Sequence, residues 1–116
     1  MAESSDIRER LAMLCRSARK RTSIFTKKRP NKWSPTSICR PGSIEPFTEA
    51  GAWEFIACCL QAGVKIETIP LDKPPDKIGY VMLVPGNHGE DVYIKLEIVG
   101  EMVFGRSFHV SEKRSH

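Results

Sequence analysis

Two runs near the C-terminus hold side chains able to move protons and carry charge. Between Val92 and Ile98 the residues alternate, and strand geometry sends Val92, Ile94, Leu96 and Ile98 to one side. Tyr93, Lys95 and Glu97 then project from the other, a phenol, an ammonium and a carboxylate in a row. Downstream, "GRSFHVS" adds Arg106, His109 and two serines. His109 is the natural proton-transfer group, because imidazole changes protonation near neutral pH. Lys95 and Arg106 are cations suited to an anion. The plain alternative is an inert, solvated sheet face, since Tyr, Lys and Glu are ordinary there.

Whether these groups meet depends on the register of the hairpin around Val99-Gly100-Glu101. A two-residue Gly100-Glu101 loop pairs Lys95 with Arg106 and Tyr93 with Phe108. A three-residue loop pairs Leu96 with Phe104 and Ile98 with Met102, and puts Gly105, Ser107 and His109 on the Tyr93/Lys95 side. The second matches apolar to apolar better and is preferred. Arg106 and His109 are three apart and cannot share a face of a regular strand. Arg106 therefore joins the others only if a bulge at Gly105 re-aims it.

The elements that must carry this hairpin can be read upstream. Residues 5–18 have Ile7, Leu11, Leu14 and Cys15 at helical spacing, with Ser5 or Asp6 as cap. A second helix starts at Thr48, with Glu49 in its first turn and Gly63 at its end. Its stripe is Ala52, Phe55, Ile56, Cys59 and Leu60, bordered by Trp53, and it should cross the sheet. "VKIETI" reads as a strand and "PLDKPPDK" as a proline-broken connection. "IGYVMLVP" suits a central strand covered on both faces, and the last two strands follow it. The expectation is an α+β domain: two N-terminal helices packed on a mostly antiparallel sheet of about four strands.

At 116 residues the chain is long enough for one domain. Its 41% hydrophobic and 28% charged residues fit a globular protein. No apolar run approaches the ~18 residues that would cross a bilayer. "MAESSDIRER" lacks the apolar centre of a secretory signal, so a cytoplasmic location and no membrane partner are expected. Cys15, Cys39, Cys58 and Cys59 form no C-x-x-C pair and read as reduced, small hydrophobes, not metal ligands.

The net charge of +4 hides an asymmetry. Residues 1–44 hold eleven basic and three acidic side chains, net +8, and residues 45–116 hold seven and eleven, net −4. From Leu11 to Ile44 nine cations stand without one acidic residue. A solvated arm is the ordinary reading of such a run. It is also an electrostatic footprint for a polyanion, which makes Arg19, Lys20, Arg21, Lys27, Lys28, Arg29, Lys32 and Arg40 candidate nucleic-acid contacts. Trp33 could pin this stretch to the core or offer a flat face to a base. The basic, proline-rich residues 19–46 show no usable periodicity, and a loop that long is either functional or mobile.

The run "DVYIKLEIVGEMVFGRSFH" resembles the C-terminal half of bacterial toxin ribonucleases of the MqsR type, within the RelE-like group of toxin–antitoxin mRNA interferases. "VYIKL" matches one family strand, and "SFH" stands where the family's last strand carries serine-phenylalanine-lysine. The likeness covers roughly residues 47–111. It departs at Gly79-Tyr80-Val81-Met82, where the family tends to have a lysine, and has no counterpart of a family glutamine. The resemblance implies a RelE-like fold and a cofactor-free, metal-independent cut of single-stranded mRNA, with a protein antitoxin as partner. It carries over Tyr93 and Lys95 position by position and puts His109 in the place of the terminal lysine. Such a cut needs a base for the 2′-hydroxyl, cations for the phosphorane and an acid for the leaving oxygen. His109 would move the proton, Lys95 and Arg106 would balance phosphate charge, and Tyr93 would orient a phosphate oxygen or stack on a base. The competing expectation is a non-catalytic nucleic-acid-binding or protein-interaction module using residues 16–40.

Overall fold

The computed structural model describes residues 5–23, 32–40, 42–71, 77–86 and 89–111. Helix α1, Ser5–Cys15, buries Leu11, Ala12, Leu14 and Cys15, with Ile7 packed at the margin. It stops at Cys15, three residues short of the expected Ala18, where Arg16 N–H is shared between the Ala12 and Met13 carbonyls at 3.2 Å. Helix α2, Glu49–Gln61, begins as its sequence requires: the Thr48 side chain accepts from the Gly51 N–H at 2.9 Å. It ends at Gln61 with Ala62 as its cap, and the chain turns away at Gly63, whose φ of 90° is left-handed and suits a residue without a Cβ. The Arg8 guanidinium donates to the Leu60 and Val64 carbonyls, both at 2.8 Å, and so ties α1 to the electronegative end of α2.

Among the described residues the sheet has five strands where about four were expected. They are β1 (Arg21–Ser23), β2 (Glu67–Pro70), β3 (Ile78–Pro85), β4 (Asp91–Val99) and β5 (Met102–Val110). Their order is β1-β5-β4-β3-β2, and β2 to β5 form an antiparallel meander. The added strand β1 runs parallel to β5, with Thr22 opposite Phe104. It lies inside the stretch read as aperiodic, and a three-residue Arg-Thr-Ser edge carries no hydrophobic alternation to announce it. The bounds of β3 and β5 agree with the sequence reading, whereas β2 starts at Glu67 and not at Val64. The central place goes to β4, not β3, whose Leu83 and Pro85 are exposed on the face away from the helices.

Both helices cover one face of the sheet. Trp53, Ile56, Leu60, Leu11, Met82, Ile94, Leu96, Val103 and Phe108 form one contiguous core there. Burying a side chain of that size is worth about 1.5–3 kcal/mol each. Aromatic edges fill its centre: Phe108 meets Phe47 at 5.3 Å and Trp33 at 5.7 Å, both edge-on. Trp33 also lies 4.9 Å from Trp53, and both indole N–H groups donate to the Glu49 carboxylate. The parts of residues 32–46 that are described are well tied, with Ser34 N–H donating to Phe108 O and Cys39 bridged to Pro46.

Candidate functional site

The face of the sheet opposite the helices is set by the hairpin β4–β5. Val99 pairs with Met102, so the connection is the two-residue Gly100-Glu101 loop, and the preferred three-residue alternative is overturned. Gly100, at φ 62°, supplies the left-handed turn residue. From that end the ladder runs Ile98↔Val103, Glu97↔Phe104 and Leu96↔Gly105, and then slips to Lys95↔Ser107, Ile94↔Phe108 and Tyr93↔His109. Arg106 is the extra residue of a bulge. Two core contacts demand it. Val103 and Phe108 are both fully buried among the helices, yet they lie five residues apart, and strict alternation cannot turn both inward. Gly105 must face inward as well, because a Cβ there would come within 2.4 Å of the Trp33 ring.

The slip brings the candidate side chains together. Tyr93 and His109 stand directly across from each other, with ring centroids 5.4 Å apart and planes 25° from parallel. His109 Nδ1 lies 2.9 Å from the Val110 carbonyl. A carbonyl oxygen can only accept, so Nδ1 carries the proton and Nε2 is the basic nitrogen of the neutral ring. Lys95 lies across from Ser107, which is 1% exposed. Its aliphatic stem runs over Gly79, where a Cβ would meet Leu71 Cδ2 at 2.8 Å and Lys95 Cδ at 3.4 Å. Leu71 and Val81 are buried on this side, outside the main core.

Arg106 also reaches this face, engaged from the start. Its Nη1 donates to Glu97 Oε1 at 2.8 Å, with the two side chains 19% and 7% exposed. Its Nε is buried without a hydrogen-bond partner. The anticipated bulge therefore exists, one residue beyond Gly105, and delivers the guanidinium to a buried carboxylate. Gly79, Glu97 and Ser107 were not singled out for the site by sequence reasoning. Glu97 was placed on the right face, and its partner could have been found by asking which carboxylate a re-aimed Arg106 would meet.

The other candidates separate. Trp33 is 8% exposed and its ring is spent on Gly105, Trp53 and Phe108, so it anchors the core and offers no open face to a base. Arg19 and Lys20 are exposed at the corner between α1 and β1. Half-buried Arg21 donates to the Cys15 carbonyl at 2.7 Å, at the end of α1, and exposed Arg40 lies 3.8 Å from Glu45. Lys32 is half-buried, and its carbonyl accepts from the Phe108 N–H at 2.6 Å. Lys27, Lys28 and Arg29 lie outside the described residues. Burial pushes the Cys15 thiol up to about 12 against the pull of Arg21 and Arg16, and burial raises Cys59 to about 11. Both thiols are thus poor nucleophiles. Among the described residues no three His, Cys, Asp or Glu side chains gather to hold a metal ion, and no helix is long and apolar enough to cross a membrane. Concavities of about 570 and 400 Å³ open elsewhere, one beside α1 and one between β1 and the start of α2.

Compared with known protein families, curated proteins and solved structures, the chain matches none.

Proposed function

We propose that this protein is a metal-independent endoribonuclease that cuts single-stranded mRNA, with a RelE-like fold, and is the toxin of a pair held silent by a protein antitoxin. The observation that carries the reading is the direct opposition of Tyr93 and His109 with Lys95 two residues along the same face. Tyr93, Lys95 and His109 are half-buried on a sheet face, and a face, in contrast to an enclosed pocket, suits a polymer that must lie across it.

The chemistry balances within the RNA. His109 Nε2 takes the proton from a 2′-hydroxyl, and the 2′-oxygen bonds to the adjacent phosphorus. The phosphorus–O5′ bond breaks, and the imidazolium returns its proton, directly or through water, to the departing 5′-oxygen. The products are a 2′,3′-cyclic phosphate and a 5′-hydroxyl. Lys95 and Arg106 offset the charge that gathers on the phosphorane, where oriented donors act most strongly. Tyr93 orients a phosphate oxygen or stacks against a base.

The test is cleavage of single-stranded RNA by purified protein in excess chelator, with end-group analysis of the fragments. His109→Ala and Lys95→Ala should each slow cutting by about 10²–10⁴-fold, the usual contribution of a positioned proton-transfer or charge-stabilising group. RNA left intact by the wild type, with healthy cells on overexpression, would sink the reading.

Exposed Arg19 and Lys20 beside β1 favour a second reading, a nucleic-acid-binding module without chemistry. It requires salt-dependent RNA binding that His109→Ala leaves untouched.

A further inference from the structure

The sheet does not need Arg106. With that residue excised, the ladder closes as a regular hairpin. Gly105 still faces Leu96, and the next three residues, Ser107, Phe108 and His109, still face Lys95, Ile94 and Tyr93. Each inward and outward assignment survives, and Phe108 stays in the core. The arginine is an insertion that adds nothing to pairing or packing inside, so what it contributes is its guanidinium on the outer face. Bulges of this kind are used beside functional sites to re-aim a side chain.

The guanidinium is held in an unusual way. Glu97, itself almost buried, grips Nη1 at 2.8 Å. Nε is buried with no partner, and a fifth of the side chain remains open to the outer face. A buried ion pair with an unmet donor is a poor means of stabilising a strand, since desolvation offsets much of the attraction. It is a good means of fixing the direction of a planar, rigid donor fork. Without the carboxylate, Arg106 would be drawn out to solvent, or slide along the strand to stand beside Lys95, where like charges repel.

We infer that Glu97 is a positioning residue: it clamps the inserted Arg106 by one edge, so that the open edge of the guanidinium meets a phosphate lying across Lys95 and His109. The inference rests on the ribonuclease reading for its substrate and for its kinetic test, while a phosphate titration tests it independently. Deletion of Arg106 should leave the protein folded and preserve the cross-strand nuclear Overhauser contact between the Tyr93 and His109 rings. Both this deletion and Glu97→Ala should lower kcat by about 100-fold with KM little changed, the scale of a misplaced group. If the deletion does not fold, Arg106→Gln, which keeps the chain length, should show the same kcat loss. The exchange Glu97→Arg with Arg106→Glu should recover thermal stability without recovering kcat. Wild-type cutting by the deletion variant, or recovery of kcat by the exchange, overturns the inference.

Titration with inorganic phosphate separates this inference from the ribonuclease reading. The Arg106 guanidinium resonances of the wild type should shift, and those of Glu97→Ala should not. If the wild type cuts no RNA, the ribonuclease reading falls, and this contrast alone decides: shifts that are absent from both proteins, or equal in both, overturn the clamp.

Discussion

At the scale of single residues, the outer face is governed by what is missing as much as by what is present. Gly79 has no side chain, so Leu71 and the stem of Lys95 lie over it. Gly79→Ala puts a methyl carbon 2.8 Å from the end of Leu71, a contact that the flexible leucine relieves only by moving. The expected outcome is a loss of about 1–3 kcal/mol of stability in urea, typical of overpacking, together with slower RNA cutting as Lys95 shifts. An unchanged unfolding midpoint would show that Leu71 moves at no cost. The buried thiols give a second residue-scale expectation. Their raised pKa values keep Cys15 and Cys59 neutral in the folded chain at pH 10, whereas the unfolded thiols, with ordinary values near 9.0, ionise. The stability present below pH 9.0 is therefore lost as pH climbs toward about 12 for Cys15 and about 11 for Cys59. Between pH 8 and 10 each thiol should remove on the order of 1 kcal/mol. Cys15→Ala should flatten its share of that slope in urea titrations at the two pH values, and an unaltered slope would refute it.

At the scale of elements, apolar spacing and turn chemistry were readable where they act locally. Thr48 and Gly63 bracket α2 because a hydroxyl satisfies a free N–H at one end and a left-handed glycine turns the chain at the other. Thr48→Ala should cost about 1 kcal/mol in the unfolding free energy. A null result would mean that the Gly51 N–H finds water instead. The hairpin was harder. Matching Leu96 to Phe104 looked right by residue type, but register is fixed by what the core accepts. Trp33, distant in sequence, occupies the place above Gly105 and holds Phe108 inward, and no local pattern reveals that contact. The same contact makes Phe108 the keystone of the register. Phe108→Ala should cost about 3–5 kcal/mol and weaken the Tyr93–His109 ring contact with it. Strand β1 was illegible for a related reason. Its hydrogen bonds are to β5, Val103 N–H donating to the Lys20 carbonyl at 2.8 Å, while its own side chains are polar. What made it a strand was an edge left open elsewhere in the fold.

At the scale of the whole molecule, the charge asymmetry and the hairpin are two halves of one surface argument. Net +8 within residues 1–44 marks an attraction for polyanions, and β1 joins this half of the chain to the edge of β5, the strand of Arg106 and His109. Yet the cations are not equivalent once folded. Arg16 lies 3.3 Å from Glu54, Arg21 is spent on a helix end and Arg8 on another. Arg19 and Lys20 are exposed, so they are the described cations best placed to displace counterions from RNA. For a single strand the logarithm of the binding constant falls with the logarithm of salt at about 0.7 per neutralised phosphate. Replacing both residues with Ala should therefore make that slope shallower by about 1.4 and weaken binding for every RNA sequence alike. Cutting at saturating RNA should be spared, because Arg19 and Lys20 sit between α1 and β1, outside the β4–β5 hairpin that carries Tyr93, Lys95 and His109. A slope unchanged by the double substitution would assign these two cations to solvent, leaving the hairpin face to hold RNA by itself.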